Sequence, residues 1–488
     1  MQVARDRQPL RGRFELLPVE QRFEPVADDH GQRAPRRRSP PGAAVVSAPK
    51  RIVILGGGFA GLYAALELEK LLRRTEGVEV TLINRENYFA FTPMLHEVAA
   101  SDLDITHIVN PVRKMLRRVR FFLGEVRSVD LDAKTVTASH GADEHEHVLP
   151  FDHLVLGLGS VTNFYGLPGL AERALTMRSL ADAIELRGRI IDNLEEADTE
   201  CAALQCQREP LLTCVVAGGG FAGVETIAAL NDFVRHSLRF YPNLRDEHVR
   251  MVIVHSGERI LPELDEKLGL YAARKLESRG IEMRLGARVS GCSDEGVHLD
   301  DGSVIRSRLV VWTAGTAPNP LLETLPIERE HGRIVVNDCL QVKGRADVWA
   351  VGDCAVVPDH STGGTCPPTA QHALRQGRHL ARNVVAAAHG RPVKAFRFAA
   401  LGQLAAIGRR TGVANVFGIN FSGFVAWWLW RTIYLSKLPR AEKKLRVALD
   451  WTLDLLFSKD LVQFATFPSN AARTRLARTP TPQMETQR

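Results

Sequence analysis

The hexapeptide Gly-Gly-Gly-Phe-Ala-Gly occurs twice in this chain, as Gly56–Gly61 and again as Gly218–Gly223. Each copy follows an apolar run of strand character, Arg51-Ile-Val-Ile-Leu55 and Cys214-Val-Val-Ala217. Each also opens a stretch of helical character, starting at Leu62 and at Val224. In a strand–turn–helix setting the first glycine permits a tight turn and the second lets the backbone approach a pyrophosphate. The third allows close helix–strand packing, and the helix N-terminus faces the anion. A glycine-rich turn can arise once without a ligand; two in the same setting imply two bound dinucleotides. The economical pair is a flavin and a nicotinamide nucleotide.

A chain of 488 residues with 45% hydrophobic content divides into two or three domains with substantial cores. The net charge of +7 and pI of 9.1 suit an anionic membrane surface as a partner; nucleic acid is not expected. Seven cysteines, with no Cys-x-x-Cys, are too few and too irregularly spaced for a disulfide framework, which points to a reducing compartment. The first dinucleotide helix lacks the cysteine pair that disulfide reductases carry just after it. No apolar run reaches the ~18–20 residues that span a bilayer, and Ala43-Ala-Val-Val46 is too short for the core of a secretory signal. No histidine–cysteine cluster has metal-ligand spacing, so no metal is expected.

Residues 1–49 are rich in Arg and Pro without apolar periodicity, and read as a disordered basic extension or as a translation start placed too far upstream. Residues 50–165 form the first part of one nucleotide-binding domain, with strands at Val78–Ile83 and over Phe151–Gly159, the latter ending in a glycine turn. A connecting segment, 166–210, leads to an inserted second nucleotide-binding domain over 211–325, with strands at Met251–Val254 and Leu309–Trp312. The chain then returns to the first domain over 326–390, where Asp347-Val-Trp-Ala-Val-Gly-Asp353 runs a strand into an acidic turn. A C-terminal region, 391–467, and a tail, 468–488, follow. The fold class is therefore α/β, two Rossmann-like domains with parallel sheets, one discontinuous and one inserted, and ligands at the strands' C-terminal ends.

These landmarks resemble the two-dinucleotide-binding-domain flavoprotein superfamily, and within it the type II NADH:quinone oxidoreductases, over roughly Arg51 to Phe467. The resemblance rests on Tyr88-Phe-Ala-Phe-Thr-Pro-Met-Leu-His-Glu-Val-Ala99, Leu154-Val-Leu-Gly-Leu-Gly-Ser-Val-Thr-Asn-Phe-Tyr165 and Val311-Trp-Thr-Ala-Gly315. Gly352-Asp353 and Pro367-Pro-Thr-Ala-Gln371 complete it, the last being similar to that family's quinone-site element. It implies a single-subunit, FAD-containing dehydrogenase on the cytoplasmic face of the cell membrane. That enzyme would pass electrons from NADH to a membrane quinone without pumping protons, and would commonly be dimeric. Sulfide:quinone oxidoreductase shares the fold but needs two cysteines flanking the flavin, and Cys366 has no convincing partner. Another NAD(P)H-dependent FAD oxidoreductase is a further alternative.

By the motif and the resemblance together, Gly56, Gly58, Phe59, Ala60 and Gly61 hold the FAD pyrophosphate. Asn84 ends the next strand where a ribose-binding acid is usual, so its amide oxygen would take that contact; Arg85 beside it is either a contact or a solvent-facing charge. By the resemblance Gly159 lies in the flavin-covering turn, Gly315 and Ala370 are further cofactor-binding residues, and Asp353 is assigned to the ribityl hydroxyls rather than to simple helix capping. Gly218, Gly220 and Gly223 hold the nicotinamide dinucleotide. No acid follows Val254; Glu258 is the substitute ribose acceptor, while Arg259 leaves a 2′-phosphate, and hence NADPH, open. Glu225 is placed by resemblance near the nicotinamide–flavin–quinone meeting point, against the alternative of a helix-dipole carboxylate. Gln371 and Gln376 are placed at the quinone, although five residues apart they do not share a helical face. His372 reads as structural.

Three tryptophans, Trp427, Trp428 and Trp430, precede Lys437, Arg440, Lys443, Lys444 and Arg446. Aromatic rings at an interface and cations at headgroups together read as helices lying on a membrane. Burial in a dimer interface is the competing reading.

Overall fold

The computed structural model describes residues 48–73, 76–199, 205–454 and 456–462. Nearly all of the expected N-terminal extension and the whole tail at 468–488 lie outside the described residues.

Two five-stranded parallel sheets carry the two glycine motifs. The first has the order Val348–Ala350, His153–Leu156, Lys50–Leu55, Val78–Asn84 and Arg120–Leu123. Its outer strand at 348–350 comes from beyond the second unit, so the first sheet closes only after an insertion. The second has the order Leu175–Thr176, Leu309–Trp312, Thr213–Ala217, Arg250–His255 and Ile281–Leu285. The segment 166–210, expected as a connector, supplies both the edge strand at 175–176 and the Leu180–Thr199 helix. Strands buried on both faces are apolar throughout, as in Ile52, Val53, Ile54 and Leu55, all nearly inaccessible.

Each glycine motif turns from its strand into a helix, Phe59–Leu71 and Phe221–Ser237. The Ala370–Ala388 helix lies against the first of these. That approach requires Gly377, where any Cβ would overlap the carbonyl oxygen of Ala60.

Beyond residue 391 the chain forms a three-stranded antiparallel meander, Gly402–Ala406, Gly412–Val416 and Ile419–Ser422. The Phe396–Phe398 stretch is not part of it: Phe396 is buried and its backbone N–H donates to the Asp338 carbonyl. Two helices follow, Gly423–Lys437 and Ala441–Leu453. No helix among the described residues is long and apolar enough to cross a membrane.

Candidate functional site: two dinucleotide cradles and a buried carboxylate

The two loops are built alike down to individual hydrogen bonds. Gly56 N–H donates to the Ile83 carbonyl at 2.9 Å, and Gly218 N–H to the Val254 carbonyl at 2.8 Å. Both first glycines have positive φ, +95° and +120°, a conformation that excludes most side chains. At Gly61 and Gly223 a Cβ would overlap the carbonyl oxygens of Gly56 and Gly218. A Cβ on the second glycine would meet Asn84 in the first motif and His255 in the second, whereas the third glycine of each differs. A Cβ on Gly58 would meet nothing within 4 Å, and one on Gly220 only Glu263 Oε1 at 3.5 Å. Gly56, Gly61, Gly218 and Gly223 are thus required by the protein's own packing, whereas Gly58 and Gly220 face open space at a helix N-terminus. Phe59 and Ala60 open the first helix, with the Phe59 ring edge-on to Phe89 at 5.0 Å.

Asn84 turns out to serve the loop. Its Oδ1 accepts Gly57 N–H at 2.7 Å and its Nδ2 donates to the Glu86 carbonyl, which leaves the oxygen's second lone pair for a ligand. In the second unit the same position belongs to His255, whose Nδ1 accepts Gly219 N–H at 3.1 Å. The sequence reading passed over His255 because it sought an acid; its place as the last residue of the strand was the available signal. Glu258 is exposed, and Arg259 is tied into its own loop by donations to the Leu264 and Pro262 carbonyls. Arg85 is exposed and lies 3.9 Å from Glu125, a loose surface pair.

Asp353 sits after a glycine of positive φ, Gly352, and its Oδ2 accepts from the Ser160 hydroxyl at 3.0 Å. Its other oxygen has no partner among the described residues. Gln376 is buried beneath this turn, its Oε1 accepting Gly352 N–H at 2.8 Å. Gln371, by contrast, is only half-buried and donates to the Gly402 carbonyl at 3.2 Å. Ala370 begins the same helix, which separates the two glutamines as their spacing requires. His372 is structural: its Nδ1 pairs with the Thr369 hydroxyl and the ring is buried against Phe398. Gly159 is open on its Cβ side, whereas the space above Gly315 is filled by the Tyr165 ring.

Glu225 lies in the second turn of its helix, beyond the reach of the terminal dipole. Its Oε1 accepts both Trp430 Nε1–H at 2.9 Å and Ala406 N–H at 3.1 Å. Burial pushes its pKa up to about 8, against the lowering effect of those two donors. With Oε1 occupied by donors, the proton rests on Oε2, which lies 3.9 Å from Nδ1 of His96. His96 is buried and its pKa is pushed down to about 3, so it is neutral. Next to it Glu97, raised to about 7 by burial, accepts Trp451 Nε1–H at 3.0 Å. Trp430 is therefore not a membrane-facing ring. It is fully buried, 4.7 Å from Tyr434 and 5.5 Å from His96.

A carboxyl whose folded pKa is raised contributes stability that is fully present below its ordinary pKa and lost as pH rises through the folded value. Glu225 thus makes folding weaken as pH climbs from about 4.5 toward about 8. Glu225→Gln, which keeps the acceptor and cannot ionise, is expected to flatten that decline in the pH profile of the urea midpoint. An identical profile would place the carboxylate in water instead.

Comparisons with known proteins follow this division. The model of the pyridine nucleotide-disulphide oxidoreductase family matches residues 50–377, and that of the NDH2 C-terminal domain matches 401–460. The type II NADH:quinone oxidoreductase Ndh of Mycobacterium tuberculosis is 32% identical over 442 residues, covering 87% of this chain and 92% of that protein. This chain belongs to the type II NADH:quinone oxidoreductase family. The Staphylococcus aureus type II NADH:quinone oxidoreductase is 30% identical over 379 residues, 77% of this chain and 91% of its own. Among solved structures, NDH2 from Plasmodium falciparum in complex with NADH superposes with a TM-score of 0.78 at 19% identity, covering 85% of this chain and 99% of that one. Cys354 is buried with its thiol pushed up to about 11, and Cys366 is likewise buried; neither is paired.

Proposed function

We propose that this type II NADH:quinone oxidoreductase binds FAD in its first glycine loop and NADH in its second, and delivers two electrons to a membrane quinone without pumping protons. The observation that carries the reading is the pair of loops whose Gly58 and Gly220 alone are free of packing demands. A pyrophosphate fits where a Cβ would otherwise project, and the open oxygen of Asp353 suits a polyol chain. Bound FAD supplies the two-electron chemistry between nicotinamide and quinone.

The side chains divide the remaining work. Gly56 and Gly61 shape the first loop, Asn84 and Arg85 flank its ribose end, and Gly159, Ala370 and Asp353 line the flavin's reach. Gly218, Gly223 and Gly315 shape the second site, with Glu258 at its rim. Gln371 contacts the quinone, and Gln376 positions the Gly352–Asp353 turn. Glu225, protonated near neutral pH, holds a proton for the reduced quinone. On this reading 50–165 and 326–390 form the FAD domain, and 211–325, completed by the edge strand at 175–176, the nicotinamide domain.

Residues 391–467 attach the chain peripherally to the membrane and join it into a homodimer. Exposed Phe424, Val425 and Trp428 on one helix, and Leu445, Leu449 and Leu453 on the next, support attachment. Unpaired cysteines among the described residues suit the reducing cytoplasmic face. The expected basic residues contribute less than their number suggests. Lys443 is buried on the Thr106 carbonyl, Lys444 donates to the Ser436 carbonyl, and Arg440 and Arg446 share Glu442.

Rapid mixing tests the site. With Gln371→Ala, reduction by NADH is expected to keep its rate while reoxidation by a short-chain quinone slows by about two- to tenfold, the loss of one hydrogen bond to the acceptor. Equal slowing of both halves would contradict the assignment.

A further inference from the structure

Nucleotide sites that choose NADH place a carboxylate at the end of the second strand, where it binds the ribose hydroxyls and repels a 2′-phosphate. In the second unit that position is His255, the last residue of the Arg250–His255 strand. Its equivalence to Asn84 is fixed by structure. Gly57 N–H donates to Asn84 and Gly219 N–H donates to His255, each from the middle glycine of its loop. The ring also lies against that glycine, since a Cβ on Gly219 would come within 2.6 Å of the His255 Cγ.

The hydrogen bond decides the tautomer. Because Nδ1 accepts from the backbone, the ring proton of neutral His255 is on Nε2. That edge is bordered by Gly257, which has no side chain; a Cβ there would lie 2.9 Å from Nε2. Burial lowers the pKa of the ring, opposed by the charge of Glu263 and by a hydrogen bond with the Arg259 backbone. The strand end therefore presents a neutral ring where a carboxylate is usual, and a neutral ring carries no negative charge to exclude a phosphate.

No other charged group stands on the strand end itself. Glu263 approaches the Cβ position of Gly220 at 3.5 Å, and its charge also reaches the His255 ring. Arg259 donates to the backbone carbonyls of Leu264 and Pro262. Glu258 is exposed.

We propose that His255 makes this chain's nicotinamide site tolerant of a 2′-phosphate, so that NADPH is a second substrate beside NADH. The proposal rests on the second glycine loop being the nicotinamide site.

Binding of 5′-ADP and 2′,5′-ADP to the flavin-loaded protein, measured by calorimetry, tests it without turnover. The two affinities are expected to agree within about tenfold, a difference of ~1.4 kcal/mol. His255→Glu puts a like charge beside the phosphate and should weaken 2′,5′-ADP by at least about tenfold while leaving 5′-ADP bound. His255→Asn copies Asn84, keeps the acceptor for Gly219 N–H, and should preserve both affinities. Rates with NADPH and NADH should follow the same order. A wild-type protein that binds 2′,5′-ADP a hundredfold more weakly than 5′-ADP would overturn the proposal. So would a His255→Glu protein with an unchanged ratio, or a Glu258→Gln protein that alone gains 2′,5′-ADP. If neither nucleotide binds, the assignment of the loop falls, and the proposal with it.

Discussion

Gly58→Val protein is expected to purify folded and colourless, whereas Gly220→Val protein purifies yellow and stays yellow when NADH is added. The two glycines are equivalent in sequence but serve different ligands, and a valine at either has room in the protein itself. Nothing lies within 4 Å of the Gly58 Cβ position, and only the end of the Glu263 side chain approaches that of Gly220. Each valine therefore fills ligand space rather than protein space. The loss of flavin should also lower the melting temperature, since a ligand at a thousand times its Kd contributes about 4 kcal/mol to the folded state. Gly61→Val is the contrasting control. There the Cβ would overlap the carbonyl oxygen of Gly56, so the expected result is failure to fold rather than loss of colour. A Gly58→Val protein with full flavin content would exclude this loop as the pyrophosphate site. Loss of flavin in Gly220→Val would reverse the two domains.

The tryptophans of the Gly423–Lys437 helix should separate into two classes under substitution. Trp430 is fully buried against Glu225, His96 and Tyr434, so Trp430→Ala should cost ~3–5 kcal/mol of stability from lost volume. Trp430→Phe should cost less, the part due to an unmet carboxyl acceptor, ~1–3 kcal/mol. Trp428, 54% exposed, should tolerate Ser with no change in melting temperature. Combining Trp428→Ser with Leu445→Ser and Leu449→Ser removes three exposed apolar side chains on two adjoining helices. A fully buried Leu is worth ~1.5–3 kcal/mol. Even half of that for each reduces partition onto vesicles by at least about fortyfold. Turnover with a water-soluble quinone should survive. A triple variant that still floats with vesicles would place attachment elsewhere, and a stable Trp430→Ala protein would contradict the buried network.

Much of this was legible in the chain because glycine spacing reports backbone geometry directly. The doubled hexapeptide fixed both loops, and the strand running into Asp353 marked the return to the first sheet. Other features depended on which way a helix turns. Trp427, Trp428 and Trp430 read as one aromatic cluster, yet the helix buries Ala426 and Trp430 four residues apart and exposes Trp428 between them. Apolar composition cannot tell a core face from a membrane face when both sides of a helix are apolar. The basic residues misled for a related reason, since the carbonyl that takes Lys443 comes from Thr106, far away in sequence. Glu225 was found by resemblance, but the rise in its pKa could not be: it comes from burial, and the donors that oppose it come from residues 406 and 430, far away in sequence.

Anaerobic titration of the flavin-loaded protein tests the central claim most directly. One equivalent of NADH is expected to bleach the blue flavin band, one equivalent of a short-chain quinone to restore it, and sulfide to leave it unchanged. Bleaching by sulfide, with NADH inert, would contradict the account, as would a reduced flavin that no quinone reoxidises.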